Sequence, residues 1–167
     1  MQRLLSLTAI VLLSNGIAER APAQAVTLLT LHNISLNAAL ALAQDARASC
    51  KRDGFDVSVV VIDRAGQLVV ALKSDSAGLH NVELARRKAY TARTFRMTSL
   101  EWSQLLIAHP ELVGLKDLPD VIALGGGVPI VLGDEAVGAI GVSGTNSQQG
   151  DEACAKTAIA EIGKSTP

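Results

Sequence analysis

The sequence predicts an α/β domain of the α+β kind: a central, mainly antiparallel sheet flanked by helices. Three observations carry this. Two pairs of short β-branched runs are each separated by only three or four turn-forming residues, the spacing of hairpins. The segments around them place apolar residues three and four apart, the helical period. The resulting order is helix, hairpin, two helices, strand, hairpin, helix, which lacks the strict alternation of a doubly wound sheet.

The first element reads as an address. Arg3 precedes an apolar run from Leu4 to Leu13, and Ala23-Gln24-Ala25 supplies a small-residue cleavage signal. A run of about ten residues is half of what a membrane-spanning helix needs. Residues 1–25 are therefore expected to be a signal peptide, with residues 26–167 as the exported domain, free of the membrane once the signal is removed. The compartment would be periplasmic or extracellular.

Within that domain, residues 34–51 are Ala-rich and carry Leu36, Ala39, Leu40 and Ala43 at helical spacing, with Ser35 as a natural N-cap and Gly54 as a stop. Val57 to Ile62 is a β-branched strand with little expected exposure. Asp63-Arg64-Ala65-Gly66 is turn chemistry, and Gln67 to Leu72 returns as its hairpin partner. Asn81 to Phe95 is the second helix. Its apolar stripe is Val82, Ala85, Ala89 and Ala92, with Arg86, Arg87, Lys88, Arg93 and Arg96 placed elsewhere. Ser99 is expected to cap a third helix from Leu100 to Ala108, ended by Pro110, and residues 109–120 form a loop. Val121 to Leu124 is expected as a strand. Ile130–Leu132 and Ala136–Val142 form the second hairpin, and the last helix spans Asp151 to Ile162.

Composition narrows the function. The 167 residues hold 15 Lys+Arg against 16 Asp+Glu, a net charge of −1, and only 2% aromatics. A nucleic-acid binder needs a basic excess for phosphates and aromatic platforms for bases, so no nucleic-acid partner is expected. Two cysteines are too few for a disulfide scaffold or a four-cysteine zinc site. In an oxidising compartment Cys50 and Cys154 can bond and close a loop of about a hundred residues. The alternative is two buried thiols.

Several residues can carry chemistry. His80 falls at the start of the second helix, where anions are favoured; it reads either as a metal or haem ligand or as a capping residue. Arg86, Arg87 and Lys88 can hold a carboxylate or propionate, or form a solvated face paired to Glu83. Tyr90 and Thr91 lie one turn on. Gly125-Gly126-Gly127 is no phosphate loop, because neither Lys nor a helix follows; it reads as a bulge or as a place where another backbone or a ligand comes close. Gly138, Gly141 and Gly144 imply a close approach to the last strand by a helix, a second subunit or a planar ligand.

Three segments together resemble a known family. They are Val57-Ser58-Val59-Val60-Val61-Ile62-Asp63-Arg64-Ala65-Gly66, then Asp75 through Ala92, then Gly126-Gly127-Val128-Pro129-Ile130 with Val137-Gly138-Ala139-Ile140-Gly141-Val142-Ser143-Gly144 and Asp151-Glu152. Over residues 33–163 the chain resembles the GlcG/HbpS family, which includes the C-terminal domain of PduO-type corrinoid adenosyltransferases. The resemblance implies a profilin-like fold, assembly with itself into homo-oligomers, often octamers, and haem as cofactor in some members, with haem degradation or iron handling. It places the family's loop-and-helix segment on Asp75 to Thr91. His80 is then the expected axial ligand, with Arg87 or Lys88 near the propionates and Tyr90, Thr91, Gly126 and Gly127 around them. The competing expectation is a small-organic-acid ligand, bound by the glycine loop and basic cluster, with Tyr90 or Asp75 moving protons.

Overall fold

Strand β1 (Ser58–Asp63) organises the fold because both of its faces are buried. The computed structural model describes residues 26–164; the expected signal peptide lies outside the described residues. The compact unit begins at Leu31. β1 pairs antiparallel with β2 (Leu68–Lys73) on one side and with β4 (Glu135–Ser143) on the other, and β3 (Gly127–Leu132) closes the order β2-β1-β4-β3. Successive side chains of a strand point to opposite faces. Val59 and Val61 accordingly join Ile140 and Val142 beneath α1 (Leu36–Arg52) and α4 (Gln148–Lys164). Val60 and Ile62 join Ala139 beneath α2 (Asn81–Phe95). The sheet thus lies between two helical layers, which is the expected α+β architecture.

Local signals explain most boundaries. Ser35 Oγ accepts from the Ala38 amide at 3.2 Å, the expected cap of α1. Asp63 Oδ1 accepts from the Ala65 and Gln67 amides, both at 2.8 Å, which fixes the β1–β2 turn. α3 (Ser99–Ala108) is capped by Thr98 rather than Ser99: Thr98 Oγ1 accepts from Glu101 N while Glu101 returns to Thr98 N, a reciprocal capping box. Ser99 is instead buried, and its Oγ accepts from Gly127 N at 2.8 Å. The expected loop after α3 contains a 3-10 helix, Pro110–Asp117.

The expected strand Val121–Leu124 does not form. Its backbone groups bond to α2 side chains instead of a sheet neighbour: Arg87 donates to Val121 O at 2.6 Å, and Thr91 Oγ1 accepts from Ile122 N at 2.9 Å. Val121 is buried against Trp102 and Leu106, so its β-branched character serves packing rather than a ladder.

Cys50 of α1 and Cys154 of α4 are bonded, with their Cα atoms 5.5 Å apart and a sequence separation of 104. The bond ties together the two helices on one face of the sheet. A loop of this length gives about 4.7 kcal/mol in the chain-entropy treatment, and measured values usually fall near 2–4. Reduction with dithiothreitol is expected to lower the urea midpoint by an amount corresponding to about 2–4 kcal/mol. The Cys50→Ala/Cys154→Ala variant is expected to melt like the reduced protein and to ignore reductant.

Candidate functional site

The polar chemistry of the domain converges where two chain reversals meet. One is the segment that leads into α2; the other is the Gly144–Ser147 loop between β4 and α4. Between them lies an open cleft of about 420 Å³, walled by His80, Asn81, Leu84 and Lys88 from α2 and by residues from Ser143 to Gln148 and Asp151. That volume is near the small end for ligand pockets, about 300–1,000 Å³. No aromatic side chain lines it. A second groove of similar volume is apolar and runs between the start of α1, β3 and the end of α4.

Lys88 lies at the inner end of the polar cleft. Of its two expected places, beside a bound carboxylate or on a solvated face, the second is not met: Lys88 is buried, because it stands three residues after Ala85 and four before Ala92, on the stripe that faces the sheet. Its Nζ donates to Asp151 Oδ2 at 2.7 Å and to Val142 O at 3.1 Å. The two side chains are 4% and 6% exposed. Asp151 Oδ1 accepts from Thr145 N at 2.9 Å, so the carboxylate also fixes the loop. Asp151 was not among the expected site residues: its partner is 63 residues away, with no local signal linking them.

The glycine run packs over this pair. Gly126 has φ +118°, and a Cβ there would come within 2.8 Å of Asp151 Cβ and 2.6 Å of Val142 O. A Cβ on Gly127 would fall on the Lys88 carbonyl oxygen. The close approach is therefore made by the α2 backbone, one of the two readings left open above.

The other expected residues are dispersed. His80 stands exposed at the mouth of the cleft as the N-cap of α2, and its side chain makes no capping bond. Arg87 is committed to Val121 O and Thr91 to Arg87 O and Ile122 N, and neither lines the cleft. The Tyr90 ring packs against Gly66 at the β1–β2 turn, and Asp75 also lies off the cleft wall, so neither is in place to move a proton there. The Asn81 side chain was not anticipated. It occupies the first position of α2, is buried and lines the cleft, and the signal for it was only a polar residue beside His80.

On the outer face of α2, Arg86 bonds Glu83 at 2.8 Å and Asp120 at 2.6 Å. The hydrogen bond from Arg86 holds the Glu83 carboxyl below the ordinary carboxylate range. The same two acids raise the Arg86 guanidinium above its usual value. Farther along, burial lowers the Arg93 guanidinium, and Arg64 and Arg96 push it the same way. Among the described residues, no group of three or more His, Cys, Asp or Glu side chains is placed to hold a metal ion.

A sheet between two helical layers, with a polar cleft at the start of α2 and a buried Lys–Asp pair at its base, defines a small α+β domain with a polar, ligand-sized cleft. The chain belongs to the HbpS-like family, described as haem-degrading proteins, whose family model matches residues 34–160. Among solved structures it resembles a double mutant of Streptomyces reticuli HbpS, with 34% identity and a TM-score of 0.77 over 86% of this chain and 98% of that one. The PduOC:haem complex has 29% identity and a TM-score of 0.70, over 77% of this chain and 94% of that chain. A 15.0 kDa uncharacterised protein from the dhaT–dhaS intergenic region of Citrobacter freundii is 30% identical over 128 residues, which is 75% of this chain and 89% of the relative.

Proposed function

We propose that this protein binds haem at the polar cleft, with His80 as axial ligand, and that it is an exported protein that assembles with itself. The observation that carries the reading is the His80 imidazole, exposed at the cleft mouth and free of any capping bond. Family membership and the PduOC:haem complex support it. The residues present fit one edge of the group. An imidazole nitrogen is available as a ligand, Leu84 and Leu124 offer apolar contact, and the Lys88 ammonium lies at the cleft base. A bound haem would supply a redox-active iron whose behaviour follows its axial ligand. The chain's own residues would orient that ligand, because His80 is fixed in the backbone by the Leu84 N–H bond to its carbonyl at 3.0 Å. An open cleft of about 420 Å³ leaves much of a macrocycle uncovered, which favours a second copy as the other wall. Export rests on the leader-like residues 1–25, and haem degradation on the family description.

Titration of the protein with haem is expected to give a saturable Soret shift. In His80→Ala that shift should be lost or moved, with affinity falling by about tenfold or more, as for one lost strong bond. A wild-type spectrum unchanged by the protein, or a complex indifferent to His80, would sink the reading. The absence of an aromatic wall favours a second reading, a small organic acid as ligand.

A further inference from the structure

We infer that the inner end of the cleft is a carboxylate site, with Asn81 Nδ2 and Lys88 Nζ as its donors. This rests on the cleft being the ligand site proposed above. Asn81 is 7% exposed and lines the cleft. Its Nδ2 lies against the cleft floor, where a Cβ on Gly144 would come within 2.9 Å of it. What little of the side chain is exposed therefore faces the cleft, where an amide N–H can donate to a ligand. Lys88 points the same way. An ammonium has three donors, and only two acceptors, Asp151 Oδ2 and Val142 O, are taken. The third N–H remains for the cleft that Lys88 lines.

The surroundings suit an anion. The titratable groups lining the cleft are His80, Lys88 and Asp151. Asp151 is the one acid among them, and both of its oxygens are already engaged, by Lys88 and by Thr145 N. α2 starts without a side-chain cap, so its first-turn amides and dipole favour negative charge at that end. α4 also begins at the cleft, with Gln148 turned away to accept from Gly125 N at 2.6 Å. The single cation is itself paired, so the site balances less than a full unit of charge. That selects a carboxylate monoanion over a phosphate dianion. The carboxylate has two sources, a haem propionate or a free small acid.

The test uses the protein with sodium acetate, sodium succinate and sodium phosphate, against sodium chloride at equal ionic strength. Binding is read from the NMR signals of the Asn81 side-chain amide and the Gly144–Gln148 backbone. The carboxylates are expected to give saturable shifts there, with phosphate weaker. Asn81→Ala should bind about tenfold more weakly, as for one lost charge-assisted bond. Asn81→Asp, which places a negative charge at the site, should not bind; Asn81→Ser serves where either variant fails to melt cooperatively. A parallel arm compares haem with haem dimethyl ester. If the carboxylate is a propionate, esterification weakens binding to the wild type about tenfold and has little effect on Asn81→Ala. If it is a free acid, acetate or succinate binds and esterification changes nothing. No saturable shift with any carboxylate, together with haem binding indifferent to esterification, would overturn the inference and leave the His80 reading standing. Equal carboxylate binding by wild type and Asn81→Ala would also overturn it. Carboxylate binding without any Soret response would instead remove the haem reading and retain the site.

Discussion

Gly141→Ala is expected to abolish cooperative folding. Gly141 sits in the middle of β4, paired with Val60 on one side and Gly127 on the other. α2 crosses directly above it. A Cβ at this position would fall on the Ala85 carbonyl oxygen and come within 2.9 Å of Ala89 N. Those are helix backbone atoms, which no rotamer change can move aside. Ordinary overpacking by one methyl costs about 1–3 kcal/mol, because side chains shift to absorb it. Here the whole helix must lift, which separates Ala85, Ala89 and Ala92 from Val60 and Ala139. The cost should exceed about 4 kcal/mol, against a total stability of about 5–15 for a domain. Circular dichroism on heating would show no sharp transition, or the chain would be recovered insoluble. Gly114→Ala is the control: nothing lies within 4 Å of its position, and its urea midpoint should match the wild type to within about 0.5 kcal/mol. A Gly141→Ala protein with wild-type melting would mean that α2 does not lie on β4 as described.

Lys88→Met is expected to cost about 3–5 kcal/mol, because it leaves the Asp151 carboxylate buried with only the Thr145 amide. The methionine fills much of the same volume, so the loss measures the charge rather than a cavity. Asp151→Asn should fall in the same range for the converse reason, since the ammonium keeps only the Val142 carbonyl and a weaker partner. The double variant Lys88→Met/Asp151→Leu should recover part of the loss, since neither buried charge then remains. Urea unfolding of the wild type, Lys88→Met, Asp151→Leu and the double variant supplies the cycle. Lys116→Ala, which removes an exposed pair with Asp117, should change stability by less than about 1 kcal/mol. If Lys88→Met behaved like Lys116→Ala, the burial of the pair would be wrong.

Much of the fold was legible because its signals are local. α2 occupies the span Asn81–Phe95 read from its spacing, and Asp63 with Gly66 marks the first hairpin. The Cys50–Cys154 bond was one of two readings, and the structure selects it. What failed depended on distant partners. Val121–Leu124 has strand-like residues, but side chains of α2 take its backbone bonds. Lys88 looked like part of a basic cluster, although its place in the Ala85–Ala92 stripe already pointed inward. Thr98 displaced Ser99 as cap because Ser99 was needed beneath the glycine run. The cleft itself was not legible: Asp75–Asn81 and Gly144–Gln148 each read locally as turns, and only the sheet brings them together. His80 and Lys88 were anticipated at this site, whereas Asn81 and Asp151 were not.

The position of Cys154 on α4 has a mechanical consequence. Asp151 precedes it by three residues, less than one helical turn of about 5.4 Å. The covalent cross-link to α1 therefore acts as a stop against sliding of α4 along its own axis. Any such slip would carry Asp151 off the Lys88 amine and drag the Thr145 amide with it. The wall of the cleft is thus clamped from the opposite side of the sheet.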